Sequence, residues 1–341
     1  MKVAKLYTFN DIRIEEMPVP VPASGEALIK TRASGICSGD VMPWYIEKKA
    51  PLVIGHEPAG EVVACGSEVD KVKPGNRVFV HHHAPCMECI YCRRSDFVQC
   101  EQWRRSRIIP GGISEYVLIP EGNLINDTLQ LPDSVSYDDA ALIEPAACVV
   151  KSLRRSGIKN GDTVLIIGLG VMGMMHLLLA PSYGAAKIIG ADMVDYRLKK
   201  AERLGIDCTV NVDQWDLGEV IPSLTDKKGA DIVIAGPNSA GVMDTALQCT
   251  APGGTVVLFT PSMPDEKLTI APNDIYFKDI SIVTSYSCGP DDTQAALQFI
   301  EKGTLNAEKL VTHRFGIDDT EMAYRTVADA GDSLKILIVF D

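Results

Sequence analysis

The chain has 341 residues, 46% of them hydrophobic, and carries a formal charge of −12 with a pI near 5.0. That length and apolar content suit two domains, each with its own core. The acidity disfavours nucleic acid as a partner, because a phosphate backbone is bound through accumulated lysine and arginine.

The first residues, MKVAKLYTFNDIRIEE, lack the apolar core and small-residue cleavage site of a signal peptide, so a cytoplasmic location is expected. Short apolar stretches at 27–32, 60–64 and 77–80, separated by Pro and Gly clusters, predict a β-barrel-like domain over roughly the first 145 residues. Within it Cys37, followed by Ser38, and the pair His56-Glu57 sit beside glycines at turns. A thiolate, an imidazole and a carboxylate are each competent zinc ligands, and a catalytic zinc needs three protein ligands and one open position. Taken singly each has a plainer reading: a small buried hydrophobe, a satisfied core histidine, a surface carboxylate. Trp44 and Tyr45 follow the first turn and read equally well as core or as lining of a substrate cleft. His81, His82 and His83 end an apolar strand, where packing and surface exposure explain them more simply than a metal does.

Next comes Cys86-x2-Cys89-x2-Cys92-x7-Cys100, a spacing that lets four thiolates close on one tetrahedral zinc. Saturated by sulfur, such a zinc has no position for substrate, so its role is structural. The remaining six of the ten cysteines are scattered and expected to be reduced. Arg104, Arg105 and Arg107, beyond the cluster, read as a solvated basic face or a subunit contact before an anion site.

From about Lys151 the pattern becomes strands alternating with helices, with strands at 163–167, 187–190, 232–235 and 255–259, which predicts a parallel α/β sheet. The apolar run 164–180 approaches the length of a membrane span, but its glycines and His176 favour a buried strand entering a core helix. Gly168-x-Gly170-x-x-Gly173 follows that strand, the context in which this motif binds a dinucleotide. Gly168 permits the tight turn, Gly170 lets the pyrophosphate approach, and Gly173 allows close helix–strand packing. Val171 and Met172 open the helix whose N-terminus supplies partial positive charge. Asp192, nineteen residues past Gly173, suits the adenosine ribose hydroxyls and favours NAD over NADP, with Arg197 near enough to soften repulsion of a 2′-phosphate. Pro181 should kink or end the helix expected at 171–183. A helix at 291–302 and a final strand at 335–340 complete the chain, whose tail could return to the first domain.

Gly55-His56-Glu57-x2-Gly60-x5-Gly66-x2-Val69 resembles the signature of zinc-containing alcohol dehydrogenases of the medium-chain dehydrogenase/reductase superfamily, and the match is complete at each fixed position. The cysteine cluster, Gly111-Gly-Ile-Ser-Glu-Tyr116 and Gly161-Asp-Thr-Val164 extend the likeness over essentially the whole chain. The resemblance implies a GroES-like catalytic domain, residues 1–148 and 288–341, with an inserted doubly wound Rossmann domain, residues 149–287, and the structural zinc lobe at 86–100. Glu144-Pro145 looks like the polyol and threonine dehydrogenase branch, in which a glutamate replaces a cysteine ligand. By that likeness Cys37, His56 and Glu57 or Glu144 hold a catalytic zinc, giving two zinc ions per subunit. The family's relay hydroxyl would stand at position 39, which is Gly39, with Ser38 beside it, and Met42 stands where some relatives place a relay histidine. A water held by the metal-site glutamates, or a substrate hydroxyl, is expected to serve instead.

The implied activity is hydride transfer between NAD and a secondary alcohol of a polyol, sugar derivative or hydroxy amino acid. A phosphorylated sugar alcohol or a simple secondary alcohol is the alternative within that class. A zinc-ribbon binding module or redox sensor is the competing class, opposed by the acidic charge and the full dinucleotide motif. No membrane partner is expected. The likeness also implies a homodimer or homotetramer joined edge to edge near residues 280–285.

Overall fold

A computed structural model describes residues 1–226 and 228–341. The chain divides into two compact units, Met1–Ala147 with Cys288–Asp341, and Cys148–Ser287. No helix among the described residues is long and apolar enough to cross a membrane.

The first unit is built on a seven-stranded sheet. Ala27–Gly35 and Glu57–Cys65 form its centre, antiparallel, and both carry runs of consecutive buried residues, as strands covered on both faces do. Arg77–Val80 extends the sheet beyond Glu57–Cys65. On the other side the last strand, Lys335–Val339, lies antiparallel to Ala27–Gly35 and parallel to Val311–Phe315. Every residue of Lys335–Ile338 is buried, as expected of an interior strand. The helix Thr320–Asp329 makes the crossover between the two parallel strands. A three-stranded sheet of Lys2–Thr8, Asp11–Glu16 and Leu52–Val53 closes one side.

The second unit is a six-stranded, all-parallel sheet in the order Cys208–Asn211, Ala185–Asp192, Asp162–Ile167, Ala230–Ala235, Thr250–Leu258, Ser281–Thr284. The order reverses beside Asp162–Ile167, so ligand is expected at the carboxyl end of that strand. Its core comes from apolar strand residues such as Leu165, Ile189, Val233 and Val256, all inaccessible to solvent. The apolar run 164–180 is the strand Asp162–Ile167 and the helix Val171–Leu179. Pro181 acts as its chemistry requires: the α-helix stops at Leu179 and continues only as a 3-10 turn, Ala180–Tyr183, ended by Gly184 at φ +116°. The two edge strands, Cys208–Asn211 and Ser281–Thr284, are short and partly exposed, and their weak apolar signal leaves the first unmarked in the sequence.

Candidate metal centre and dinucleotide cradle

Sheet register assembles the first centre. Gly35 pairs with Glu57, so Cys37, just past one strand, comes level with His56, just before the other. Cys37 caps the 3-10 turn Ser38–Val41, its sulfur accepting from the Gly39 N–H at 3.3 Å. Donor atoms of Cys37, His56 and Glu57 all lie within 4.8 Å of one another. Buried Asp40 sets the histidine, with Oδ2 3.2 Å from His56 Nδ1, which leaves Nε2 to face a metal. Burial pushes the His56 pKa down, but the charge and hydrogen bond of Asp40, helped by Cys37, carry it well above the usual histidine value in the metal-free chain.

Glu57 is fully buried, and its Oε1 has no hydrogen-bond partner. Lys335, buried on the last strand, forms an ion pair with Oε2 and donates to Ile36 O at 3.0 Å. A Cβ on residue 35 would stand 1.8 Å from that Oε2 and 2.6 Å from Lys335 Cε, so Gly35 is the space the pair occupies. Burial raises the pKa of Glu57, Lys335 opposes the rise, and the neighbouring Glu144 adds to it. Two buried carboxylates and one lysine are short of positive charge, and an orphaned carboxylate oxygen beside a thiolate and an imidazole fits a zinc ion.

Glu144, in the first turn of the helix Ile143–Ser156, is buried, with donor atoms of His81 and His82 within 4.8 Å, and its charge also acts on Glu57. That donor group adjoins the first where the His56 and His82 rings meet at 4.8 Å. Ser38 is exposed on its turn. Trp44 and Tyr45 are half-buried in a T-shaped pair, with Lys48 over one ring and Lys49 over the other. Two groups escaped the sequence reading. Lys335 reads as an ordinary strand-start lysine until register places it at Glu57. Tyr324 lies fully buried beside Asp40 and Cys37, its pKa raised by burial and then by those charges.

The four-cysteine lobe is self-contained. Its sulfurs lie within 4.8 Å of one another, Cys89 and Cys92 at 3.5 Å and Cys86 and Cys92 at 3.9 Å. Four thiolates about one zinc stand about 3.8 Å apart, so the lobe fits the ion as it is. The Cys86 N–H donates to Cys100 Sγ and the Cys89 N–H to Cys86 Sγ, each at 3.4 Å. Backbone N–H groups of Glu88 and Cys89 hold the Cys86 thiol down at about 7, whereas burial lifts Cys92 to about 12. Phe97, Val98 and Trp103 form the small core beneath. Arg105 is engaged by Glu101, while Arg104 and Arg107 donate to backbone carbonyls. His83 stacks on Trp103 and bonds Ser106 O through Nδ1, a packing role.

In the second unit Gly168 sits at φ +92°, and a Cβ on Gly173 would come 2.0 Å from the Gly168 carbonyl oxygen, so strand and helix meet with no room for a side chain. Asp192 ends the neighbouring strand, buried, with Oδ2 accepting from the Leu169 N–H at 2.7 Å and Oδ1 from the Val194 N–H at 2.9 Å. Each oxygen keeps a further acceptor site for a ribose hydroxyl. Arg197 Nη1 is 3.7 Å from Asp192 Oδ2 and 3.9 Å from where a Cβ on Gly170 would stand. A guanidinium thus lies over the glycine turn. His176, in the helix that follows, is buried with both ring nitrogens bonded, to Met172 O and Ser152 Oγ, and burial lowers its pKa to about 4.

Residues 171–302 match the zinc-binding dehydrogenase family and residues 23–133 the alcohol dehydrogenase GroES-like domain. A sorbitol dehydrogenase of Bacillus subtilis is 30% identical over 352 residues, covering 99% of this chain and 97% of that protein. The chain belongs to the zinc-binding medium-chain dehydrogenases. An alcohol dehydrogenase from Escherichia coli CFT073, solved with NADH, superposes with a TM-score of 0.89 at 27% identity over 100% of this chain and 99% of that one. A zinc-binding dehydrogenase from Sinorhizobium meliloti, solved with NADP, gives 0.88 at 27% identity over 99% of both. The chain is accordingly a zinc-dependent alcohol or polyol dehydrogenase that uses a nicotinamide cofactor.

Proposed function

We propose that this dehydrogenase oxidises a secondary alcohol of a polyol, sugar derivative or hydroxy amino acid to the ketone with NAD, and runs the reverse reduction. The observation that carries this reading is the buried Cys37–His56–Glu57 donor set with its orphaned carboxylate oxygen. When bound, zinc supplies Lewis-acid polarisation of the alcohol oxygen and the nicotinamide supplies the hydride acceptor. Cys37, His56 and a glutamate hold the metal, and Asp40 orients His56 for that task. Lys335 offsets the charge of Glu57, keeping a second carboxylate available beside Glu144. In the cofactor unit Asp192 accepts the adenosine ribose hydroxyls, and the backbone at Gly170, Val171 and Met172 receives the pyrophosphate. With position 39 a glycine and Ser38 exposed, the alcohol proton leaves through a water held by the glutamates or through a substrate hydroxyl.

The B. subtilis relative's description as a sorbitol dehydrogenase supports a polyol, and the acidic Asp192 supports NAD. Arg197 beside Asp192, whose guanidinium could meet a 2′-phosphate, and the NADP bound by the S. meliloti relative favour NADP instead. The test is reduced-cofactor formation across polyols, sugar phosphates, threonine and simple secondary alcohols, with NAD and NADP in parallel and zinc counted in the same samples. Activity with NAD on a polyol and at least two zinc ions per chain, one in the four-cysteine lobe and one at the Cys37–His56–Glu57 centre, is expected; no turnover on any alcohol, or a clear preference for NADP, overturns the corresponding part. The open edge strand Ser281–Thr284 suits pairing of two copies, which light scattering would read as a dimer or a multiple of it.

A further inference from the structure

Beside the first centre lies a second group of metal donors, of which only Glu144 enters the proposed reaction. The strand Arg77–Val80 ends just before His81, and the chain bends at His82, so two adjacent imidazoles that would face opposite ways in a strand converge, 5.0 Å apart and nearly perpendicular. Donor atoms of His81, His82 and Glu144 lie within 4.8 Å of one another.

His81 is held as a metal-binding histidine is held. Its Nδ1 is 2.6 Å from Asp127 Oδ2, and the other Asp127 oxygen accepts from the Thr293 hydroxyl at 2.6 Å. Both His81 and Asp127 are buried, and Asn123 anchors the His81 carbonyl at 3.0 Å. A carboxylate on one ring nitrogen fixes the tautomer and presents the other as a basic ligand. That other nitrogen, Nε2, has Cys288 Sγ 3.6 Å away. His82 Nδ1 is buried without a hydrogen-bond partner, which is costly unless some group satisfies it.

We propose that His81, His82 and Glu144 form a second position for a divalent transition metal of zinc type, adjoining the Cys37–His56–Glu57 position. Two imidazoles and a carboxylate, with a sulfur at hand, are the ligands of a borderline-soft ion and not of magnesium or calcium. The ligands would close to about 3.4 Å of one another around the ion, a small adjustment for three side chains. Glu144 then belongs to the second position, and Glu57 completes the first. The inference depends on the proposed reaction only in taking Cys37 as a ligand of the first position.

The test counts metal, not turnover. The full-length chain is equilibrated with zinc, gel-filtered and analysed for bound metal as wild type, Cys37→Ala, and Cys37→Ala with His82→Ala. Cys37→Ala is expected to retain two ions, one in the four-cysteine lobe and one at the second position, and adding His82→Ala to leave one. One ion in Cys37→Ala, or two in the double variant, overturns the proposal. If Cys37→Ala does not melt cooperatively, Cys37→Ser takes its place with the same expected counts. The proposed function is tested apart, by wild-type turnover, so either can fail alone.

Discussion

The four-cysteine lobe and the Cys37–His56–Glu57 centre are both built for zinc, yet they differ in almost every physical respect. The lobe draws its ligands from fifteen consecutive residues, holds them with its own backbone N–H groups, and sits on a core of three side chains. The other centre draws on residues 37, 56, 57 and 335, which only sheet register brings together. A local site can be saturated by sulfur and closed, whereas a dispersed one mixes donor types and can leave a coordination position open. Binding energy in the first is spent on folding, and in the second on chemistry.

Substitutions should separate the two. Cys86→Ala removes a ligand from a lobe whose folding is metal-linked by on the order of 10 kcal/mol, so one zinc is lost and soluble, cooperatively melting protein falls sharply. Retention of both the zinc count and the melt would end the structural assignment. Cys37→Ala should lower turnover by about a thousandfold or more, worth about 4 kcal/mol of barrier, while the melt stays within a few degrees of wild type. Turnover within tenfold of wild type would remove Cys37 from the chemistry.

The cofactor unit provides a metal-free reference through acid. His176 has a folded pKa of about 4 against an ordinary 6.5, so between those values the unfolded chain binds more protons. Its contribution is complete above about pH 6.5 and is lost progressively as pH falls toward 4, up to on the order of 3 kcal/mol. Melting curves of wild type and His176→Gln over that window should converge at low pH, and the convergence should be the same with or without added zinc. Parallel curves would dismiss His176 as the source. Smallest of all, Ser38→Ala should change turnover by less than about twofold, since Ser38 is exposed, and a loss of about a thousandfold would return that serine to the mechanism.

Much of this was legible because the signals are local. Gly168-x-Gly170-x-x-Gly173 lies within one strand–turn–helix, and the lobe lies within one loop, so spacing alone carries both. Pro181 ended its helix where backbone chemistry requires. The short edge strand Cys208–Asn211 escaped because its residues are mostly half-buried and polar neighbours blur its alternation. Lys335 and Tyr324 escaped for a different reason: nothing within ten residues of either speaks of a metal, and only long-range pairing gives them a role. Glu144 shows the limit most clearly. Family likeness points it at Cys37 and His56, while the bend at His82 brings two imidazoles within 4.8 Å of it that no motif records.

The place of the last strand also orders events in time. Lys335–Val339 lies inside the sheet, between Val311–Phe315 and Ala27–Gly35, and brings the lysine that balances Glu57. On the ribosome the ligands Cys37, His56 and Glu57 are made early, but their sheet lacks an interior strand until Lys335–Val339 emerges. The four cysteines need no such wait. Zinc should therefore enter the lobe before Lys335–Val339 is made and the dispersed centre only after it, and a chain truncated after Leu334 should keep the lobe's zinc and lose that of the Cys37–His56–Glu57 centre. Equal zinc in truncated and complete chains would disprove that order.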